Sequence, residues 1–174
     1  TVVDSLLQDH SAGHISDQEG QLLLTGLAEH LAGKGYLSDM TLFPGVSYRN
    51  IMVDSSSRDG KRGRDWSELK TVPPHDVPGE PMKKHLPTGG PNAKVLQDMI
   101  ADSAAFLAEH EVNQTRRELG ESPATHVWPW GQGRMPVMPS FESRFGLRGA
   151  MITAVDLLDG LAHFIGWDRL DVPG

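Results

Sequence analysis

The segment from Asp54 to Pro91 most constrains what this chain can fold into. It collects prolines, glycines and charges, and its apolar residues recur at neither a helical nor a strand spacing. Periodic structure must therefore come from either side of it, and those two sides have to meet around a long irregular excursion. Excursions of this length in a compact domain are usually functional or disordered.

Before the excursion, Thr1 to Gln8 is apolar enough for a short strand, and Asp9-His10-Ser11-Ala12-Gly13 turns the chain. Ser16-Asp17-Gln18-Glu19 has the form of a capping box, and Leu23, Leu27 and Leu31 continue one helical face until Gly33 and Gly35 end it. Met40–Phe43 and Val46–Val53 read as strands joined by a turn at Pro44-Gly45, a hairpin that places Arg49 on a strand. After the excursion, Asn92 can cap a helix through Val95, Leu96, Met99, Ile100, Ala104, Phe106 and Leu107, which Arg116 and Arg117 end. Ala124–Trp128 and Ala150–Val155 read as further strands. Thr153 with Asp156 opens a last helix that Gly166 stops. This order of elements predicts an α+β fold: a mixed, largely antiparallel sheet, about three main helices packed on it, and long irregular loops.

The chain has 174 residues, which predicts a single domain over 1–174. With 38% hydrophobic residues and 19 glycines it is globular in composition. Cysteine is absent, which excludes disulfides, thiol catalysis and cysteine-ligated zinc. A net charge of −7 argues against a general nucleic-acid binder. No apolar run approaches the roughly 20 residues that span a bilayer, and no signal peptide is visible, so no membrane partner is expected and the cytoplasm is the default. The start at Thr1 and the ending Val172-Pro173-Gly174 read as those of a processed or excised piece.

Several chemistries can be weighed. His10 and His14 have the spacing of one helix face, but Ala12-Gly13 separates them and the helix starts only after Ile15, so loop-pinning histidines are preferred to metal ligands. Arg58, Lys61, Arg62 and Arg64 can attract an anion, though a solvated loop is the plainer reading. The span from Ser55 to Leu69 is accordingly expected to be mobile. Thr88-Gly89-Gly90 offers amides to an anion only weakly, and Ser55-Ser56-Ser57 lacks a nucleophile elbow. Three segments are more distinctive. Pro44–Arg49 follows a turn with an arginine, Pro73-Pro74-His75-Asp76 stiffens an imidazole and a carboxylate, and Trp128–Arg134 gathers two indoles, an amide and a guanidinium.

Ser11-Ala-Gly-His-Ile-Ser16, Pro44-Gly-Val-Ser-Tyr-Arg49, Pro73-Pro-His-Asp76, Val112-Asn-Gln-Thr-Arg-Arg117, Trp128-Pro-Trp-Gly-Gln-Gly133 and Ile152-Thr-Ala-Val-Asp156 occur in this order. Together they resemble the archaeal-type 2,3-bisphosphoglycerate-independent phosphoglycerate mutase family of the alkaline phosphatase superfamily, across nearly the whole chain. The stretch from Arg58 to Leu69 stands outside that pattern as a local elaboration.

The resemblance is to the inserted, substrate-binding domain of those enzymes. It implies that the parent interconverts 3- and 2-phosphoglycerate and that a phosphatase-like catalytic domain of the same chain is the partner. That domain would carry a transiently phosphorylated serine and two divalent metal ions of the manganese or zinc type. Those catalytic and metal-binding groups would precede Thr1 and follow Gly174, so no catalytic or metal residue is assigned to this chain, and the isolated piece is expected to be inactive. A phosphoglycerate passing through such a cycle must stay bound while its phosphate is on the serine, which calls for cationic and hydrogen-bonding groups. Arg49 is the first choice for its carboxylate, against a plain surface arginine. His75 and Asp76 can shuttle a proton or orient hydroxyls, or simply brace a turn. Trp130, Gln132 and Arg134 can close over the substrate, although Trp128 or Trp130 can equally anchor the core. Arg116 is a further candidate for substrate binding. The rival readings are a superfamily enzyme acting on another phosphate or phosphonate ester, and a stand-alone binding or assembly domain.

Overall fold

Ser16 opens the first long helix as its spacing requires. Its Oγ accepts from the Glu19 N–H at 3.3 Å, and Glu19 Oε2 accepts from the Ser16 N–H at 3.1 Å. In the computed structural model, which describes residues 1–57, 63–134 and 136–172, this reciprocal cap starts helix α1, Asp17–Gly33. Two compact units follow from the chain path, 1–132 and 133–174.

The first unit begins with strands β1 (Val2–Val3) and β2 (Leu6–Leu7), an antiparallel pair turning through Asp4 and Ser5 at positive φ. Strands β3 (Met40–Pro44) and β4 (Asn50–Asp54) form the expected hairpin, in register from Met40 opposite Asp54 to Pro44 opposite Asn50. Arg49 belongs to the turn rather than to a strand, because the turn runs on to residue 49 before pairing resumes at Asn50. Helix α2, Ala93–Glu109, packs against α1. Leu27, Leu31, Met40, Leu69, Ala93, Leu96 and Met99 make the main core, and Ala12, Ile15, Leu23 and Leu107 a second cluster. Each buried leucine contributes about 2 kcal/mol through removal of its surface from water.

Three local expectations fail in this unit for tertiary reasons. Asn92 does not cap α2: its own backbone is helical, and its side-chain amide donates to the Asp65 carbonyl at 2.8 Å. The long helix does not reach Arg116 and Arg117 but breaks at His110, whose Nδ1 accepts from the Val112 N–H and starts a separate helix α3, Glu111–Glu118. The break is stabilised by side chains that take over the last carbonyls of α2. Asn113 donates to Leu107 O, Arg117 to Ala108 O, and Gln114 to Glu109 O. Ala124–Trp128 forms no strand, since side chains replace a ladder: Asn113 Oδ1 accepts from Ala124 N, and Ser103 Oγ from Val127 N.

The excursion folds back on the hairpin of β1 and β2. Leu7 N donates to Glu80 O at 2.9 Å, Gly79 N to Leu7 O and Met82 N to Ser5 O, while Lys70 and Thr88 exchange both backbone bonds. Pro74–Asp76 and Met82–Lys84 are single 3₁₀ turns. Of the stretch expected to be mobile, Arg58 to Arg62 lie outside the described residues. Beyond them the chain has tertiary partners: Arg64 pairs with Asp54 at 3.2 Å, Trp66 Nε1 donates to Asp54 Oδ2, and Leu69 is buried.

The second unit carries helix α4 (Phe141–Phe145), then strand β5 (Ala150–Met151), helix α5 (Asp156–Ile165) and strand β6 (Asp168–Arg169), with β5 and β6 parallel. The expected strand to Val155 is thus two residues long. The expected cap also fails, because Thr153 Oγ1 accepts from Val155 N and no side chain caps Val155. Gly166 ends α5 in the left-handed conformation, as expected of glycine there. The fold is α+β, but among the described residues its strands form three separate two-stranded pairs rather than one sheet. Strands of two to five residues leave little backbone to extend a ladder.

Candidate functional site

Arg49, His75 and Trp130 are linked through Tyr48, which shares the segment Pro44–Arg49 with the arginine, and through His10, which sequence reasoning had not grouped with them. The Arg49 guanidinium lies 5.5 Å from the centroid of the Tyr48 ring. Tyr48 meets His10 edge to face at 5.2 Å, His10 meets His75 at 5.7 Å, and His75 meets Trp130 at 5.2 Å. The result is one row of rings, with the Arg49 guanidinium at its end, along the surface of the first unit. Arg49, His10, His75 and Trp130 are all exposed, and Tyr48 is half-buried. Aromatic edge contacts of this kind add about 0.5–1.5 kcal/mol beyond burial, enough to order side chains that remain open to a ligand.

Each member is positioned from below. Ser47 has a positive φ of 57°; its N–H donates to Asp17 Oδ1 at 2.8 Å and its hydroxyl to Ile15 O. The turn bearing Tyr48 and Arg49 is thereby tied to the start of α1. Gly20 lies under that turn, where a Cβ would come within 2.6 Å of Ser47 O. His10 follows Asp9, whose carboxylate accepts from the N–H groups of Ser11 and Gly13 and from the Ser11 hydroxyl. Partial burial is the largest influence on that carboxyl and pushes it up, but these donors together outweigh it and hold it down at about 2. His75 rides on the turn started by Pro73-Pro74, with Asp76 Oδ1 3.7 Å from its Nε2. A cavity of about 60 Å³ beside His10 is lined in part by Pro74, His126 and Trp128. Burial lowers the His126 pKa and favours the neutral ring.

The two tryptophans divide the roles that sequence reasoning left open. Trp128 anchors, donating from Nε1 to Val72 O at 2.9 Å, whereas Trp130 stands half in solvent beside His75. Gln132 is committed inward. Its Nε2 donates to Leu69 O and its Oε1 accepts from the Thr71 hydroxyl, both at 2.6 Å, while Thr71 Oγ1 accepts from Gly131 N. This clasp fixes the turn that presents Trp130. Arg116 is equally committed: it is 4% exposed, with Nη1 on Glu19 and Glu121, Nη2 on Ala12 O and Nε on Ser122 O. Its place beside Arg117 at an expected helix end carried no signal of that burial. Arg134 belongs to the second unit and is exposed. His10 and Tyr48 were legible only as members of the segments Asp9–Gly13 and Pro44–Arg49.

Among the described residues no group of three or more histidine, aspartate or glutamate side chains is placed to hold a metal ion, and no helix is long and apolar enough to cross a membrane. A two-metal centre therefore does not fit the donor set of the described residues.

Comparison with known proteins gives a consistent relation. The chain is 42% identical over 174 residues to a 2,3-bisphosphoglycerate-independent phosphoglycerate mutase of Methanothrix thermoacetophila. It is 40% identical over 171 residues to one from Methanothermobacter thermautotrophicus. It spans 100% and 98% of itself in these matches but 40% of the length of either relative. Its fold matches the structure of a cofactor-independent phosphoglycerate mutase from Thermoplasma acidophilum with a TM-score of 0.58 at 21% identity, covering all of this chain and 46% of that one. A family model described as 2,3-bisphosphoglycerate-independent phosphoglycerate mutase matches residues 1–113, well over half of the sequence, and the chain belongs to that family, in its archaeal-type form.

Proposed function

We propose that this chain is the substrate-holding part of a phosphoglycerate mutase that interconverts 3- and 2-phosphoglycerate, and that it is inactive without the rest of its parent. The observation that carries this reading is the exposed row from Arg49 through Tyr48, His10 and His75 to Trp130. Moving a phosphate between the two hydroxyls of glycerate requires the acid to stay bound and turn while the phosphate is elsewhere. Arg49 supplies a charge-assisted donor for the carboxylate, His75 and Asp76 orient hydroxyls or carry a proton, and Trp130 offers an apolar wall. Arg134 supplies a further cationic donor, while Gln132 and Arg116 act by position. The row is open because the phosphatase-like domain of the parent forms its opposite wall. That domain supplies the nucleophilic serine and two divalent ions of the manganese or zinc type. No step assigned to this chain runs through them. The parent works in the cytoplasm, and its partners include neither nucleic acid nor membrane.

The test is kinetic. In the full-length parent, Arg49→Ala is expected to lower kcat/KM about 100-fold, because a lost partner leaves a desolvated carboxylate unsatisfied. An unchanged kcat/KM would make Arg49 a surface residue. Mutase or phosphatase turnover by residues 1–174 alone, supplied with manganese or zinc, would overturn the substrate-holding reading.

A further inference from the structure

His10 is held in place by its surroundings, yet its polar atoms are unused. Its ring meets Tyr48 at 5.2 Å and His75 at 5.7 Å, both edge to face. The backbone that follows is fixed as well. Asp9 accepts from Ser11 and Gly13, Ser11 and Ala12 are buried, and Ala12 O accepts from Arg116 Nη2 at 2.8 Å. His10 itself is exposed, and among the described residues neither of its ring nitrogens has a hydrogen-bond or ion-pair partner.

The titratable and charged groups around this imidazole come from every segment that packs on it. Asp9 is next to it in the chain, and Tyr48 and Arg49 stand on the hairpin turn. His75 and Asp76 stand on the 3₁₀ turn, and Thr1 and His126 line the adjoining cavity. The acids among them are engaged elsewhere. Both oxygens of Asp9 accept from Ser11 and Gly13, and Asp76 Oδ1 lies 3.7 Å from His75 Nε2. A histidine donates from one ring nitrogen when neutral and from both when charged, so His10 presents a donor in either state, on a ring whose orientation is already set. Arg49 is close by. Its guanidinium lies 5.5 Å from the centroid of the same tyrosine ring that His10 touches.

We propose that His10 is a second ligand residue for the acid held at Arg49, donating to its carboxylate across Tyr48 and taking up a proton as that anion binds. The inference rests on the reading of the row as a substrate-holding surface, and it adds a regulation of that surface by pH. An anion brought to Arg49 favours the charged form of an imidazole beside it, so binding and protonation reinforce one another. The imidazolium then makes a charge-assisted hydrogen bond, about twice as strong as the neutral one. Histidine changes charge between about pH 5 and 8, so the acid is held more tightly at the lower end of that range.

Glycerate is the probe, because its carboxylate stays ionised above about pH 6 and it carries no phosphate that titrates there. Its inhibition constant against the full-length parent is measured at about pH 6 and about pH 8.5, and the same is done for two variants. His10→Phe keeps a ring beside Tyr48 and His75 without nitrogens, and His10→Asn keeps a neutral donor that cannot be charged. His10→Phe is expected to raise the inhibition constant about tenfold at the lower pH and about threefold or less at the higher one. His10→Asn is expected to lose the same pH-dependent part, and it decides the matter if His10→Phe fails to fold. Constants unchanged by either substitution would overturn the proposal. So would constants raised equally at both pH values, since a merely structural ring acts without regard to charge. Loss of glycerate inhibition in Arg49→Ala but not in the His10 variants would sink the proposal and leave the substrate-holding reading intact. If the parent turns over no phosphoglycerate the functional reading fails, and glycerate affinity followed by calorimetry at the two pH values still decides the role of His10.

Discussion

The imidazole of His75 meets the indole of Trp130 edge to face with ring centroids 5.2 Å apart, joining the proline-stiffened turn to the Trp-Pro-Trp segment. The contact depends on the clasp beneath it, in which Gln132 holds Leu69 O and Thr71.

Removing the clasp should therefore act like removing the ring. In the full-length parent, Trp130→Ala and Gln132→Ala are both expected to lower kcat/KM about tenfold, the equivalent of about 1.4 kcal/mol. Steady-state kinetics check this. A Gln132→Ala variant as active as the unsubstituted enzyme would show that the turn holds Trp130 without the clasp.

Arg116 is expected to behave as a tie rather than a ligand group. Arg116→Ala strips donors from Glu19, Ala12 O and Ser122 O, and should destabilise the fold by about 3 kcal/mol. Lysine at that position should restore little, because a single ammonium cannot match the planar fork. Urea unfolding of residues 1–174 measures both. A KM effect in the parent with unchanged stability would return Arg116 to the substrate.

Asp9 predicts a pH window. Its carboxyl is held down at about 2 in the folded chain against an ordinary 3.8, so the unfolded state binds the proton more readily. The stability it contributes is fully present above about pH 4 and is lost as pH falls towards about 2. Melting temperature followed between pH 5 and 2 should fall less steeply in Asp9→Asn than in the parent sequence, and parallel curves would remove Asp9 from the acid transition.

What the sequence by itself determined are the features whose partners lie within a few residues. The Ser16–Glu19 box closes between neighbours on one helical turn, and Gly166 ends α5 because only its own φ of 74° is at stake. The hairpin of Met40–Asp54 was legible for the same reason, since a turn and alternating apolar residues specify pairing between adjacent segments. Tertiary structure decided whatever had a choice of partner. Asn92 has a side chain suited to a cap and spends it on Asp65 O across the fold, where the excursion returns to the helix. Asn113, fully buried, takes Leu107 O and both backbone groups of Ala124, and so breaks one helix and replaces a strand at once. Arg116 and Arg49 look equally free in the sequence. One is enclosed by Glu19 and carbonyls of distant loops, and the other stands over Tyr48 on the surface. Side-chain hydrogen bonds and ring contacts carry no periodicity, and their energy depends on what long-range folding brings within about 3 to 6 Å, which local spacing does not encode.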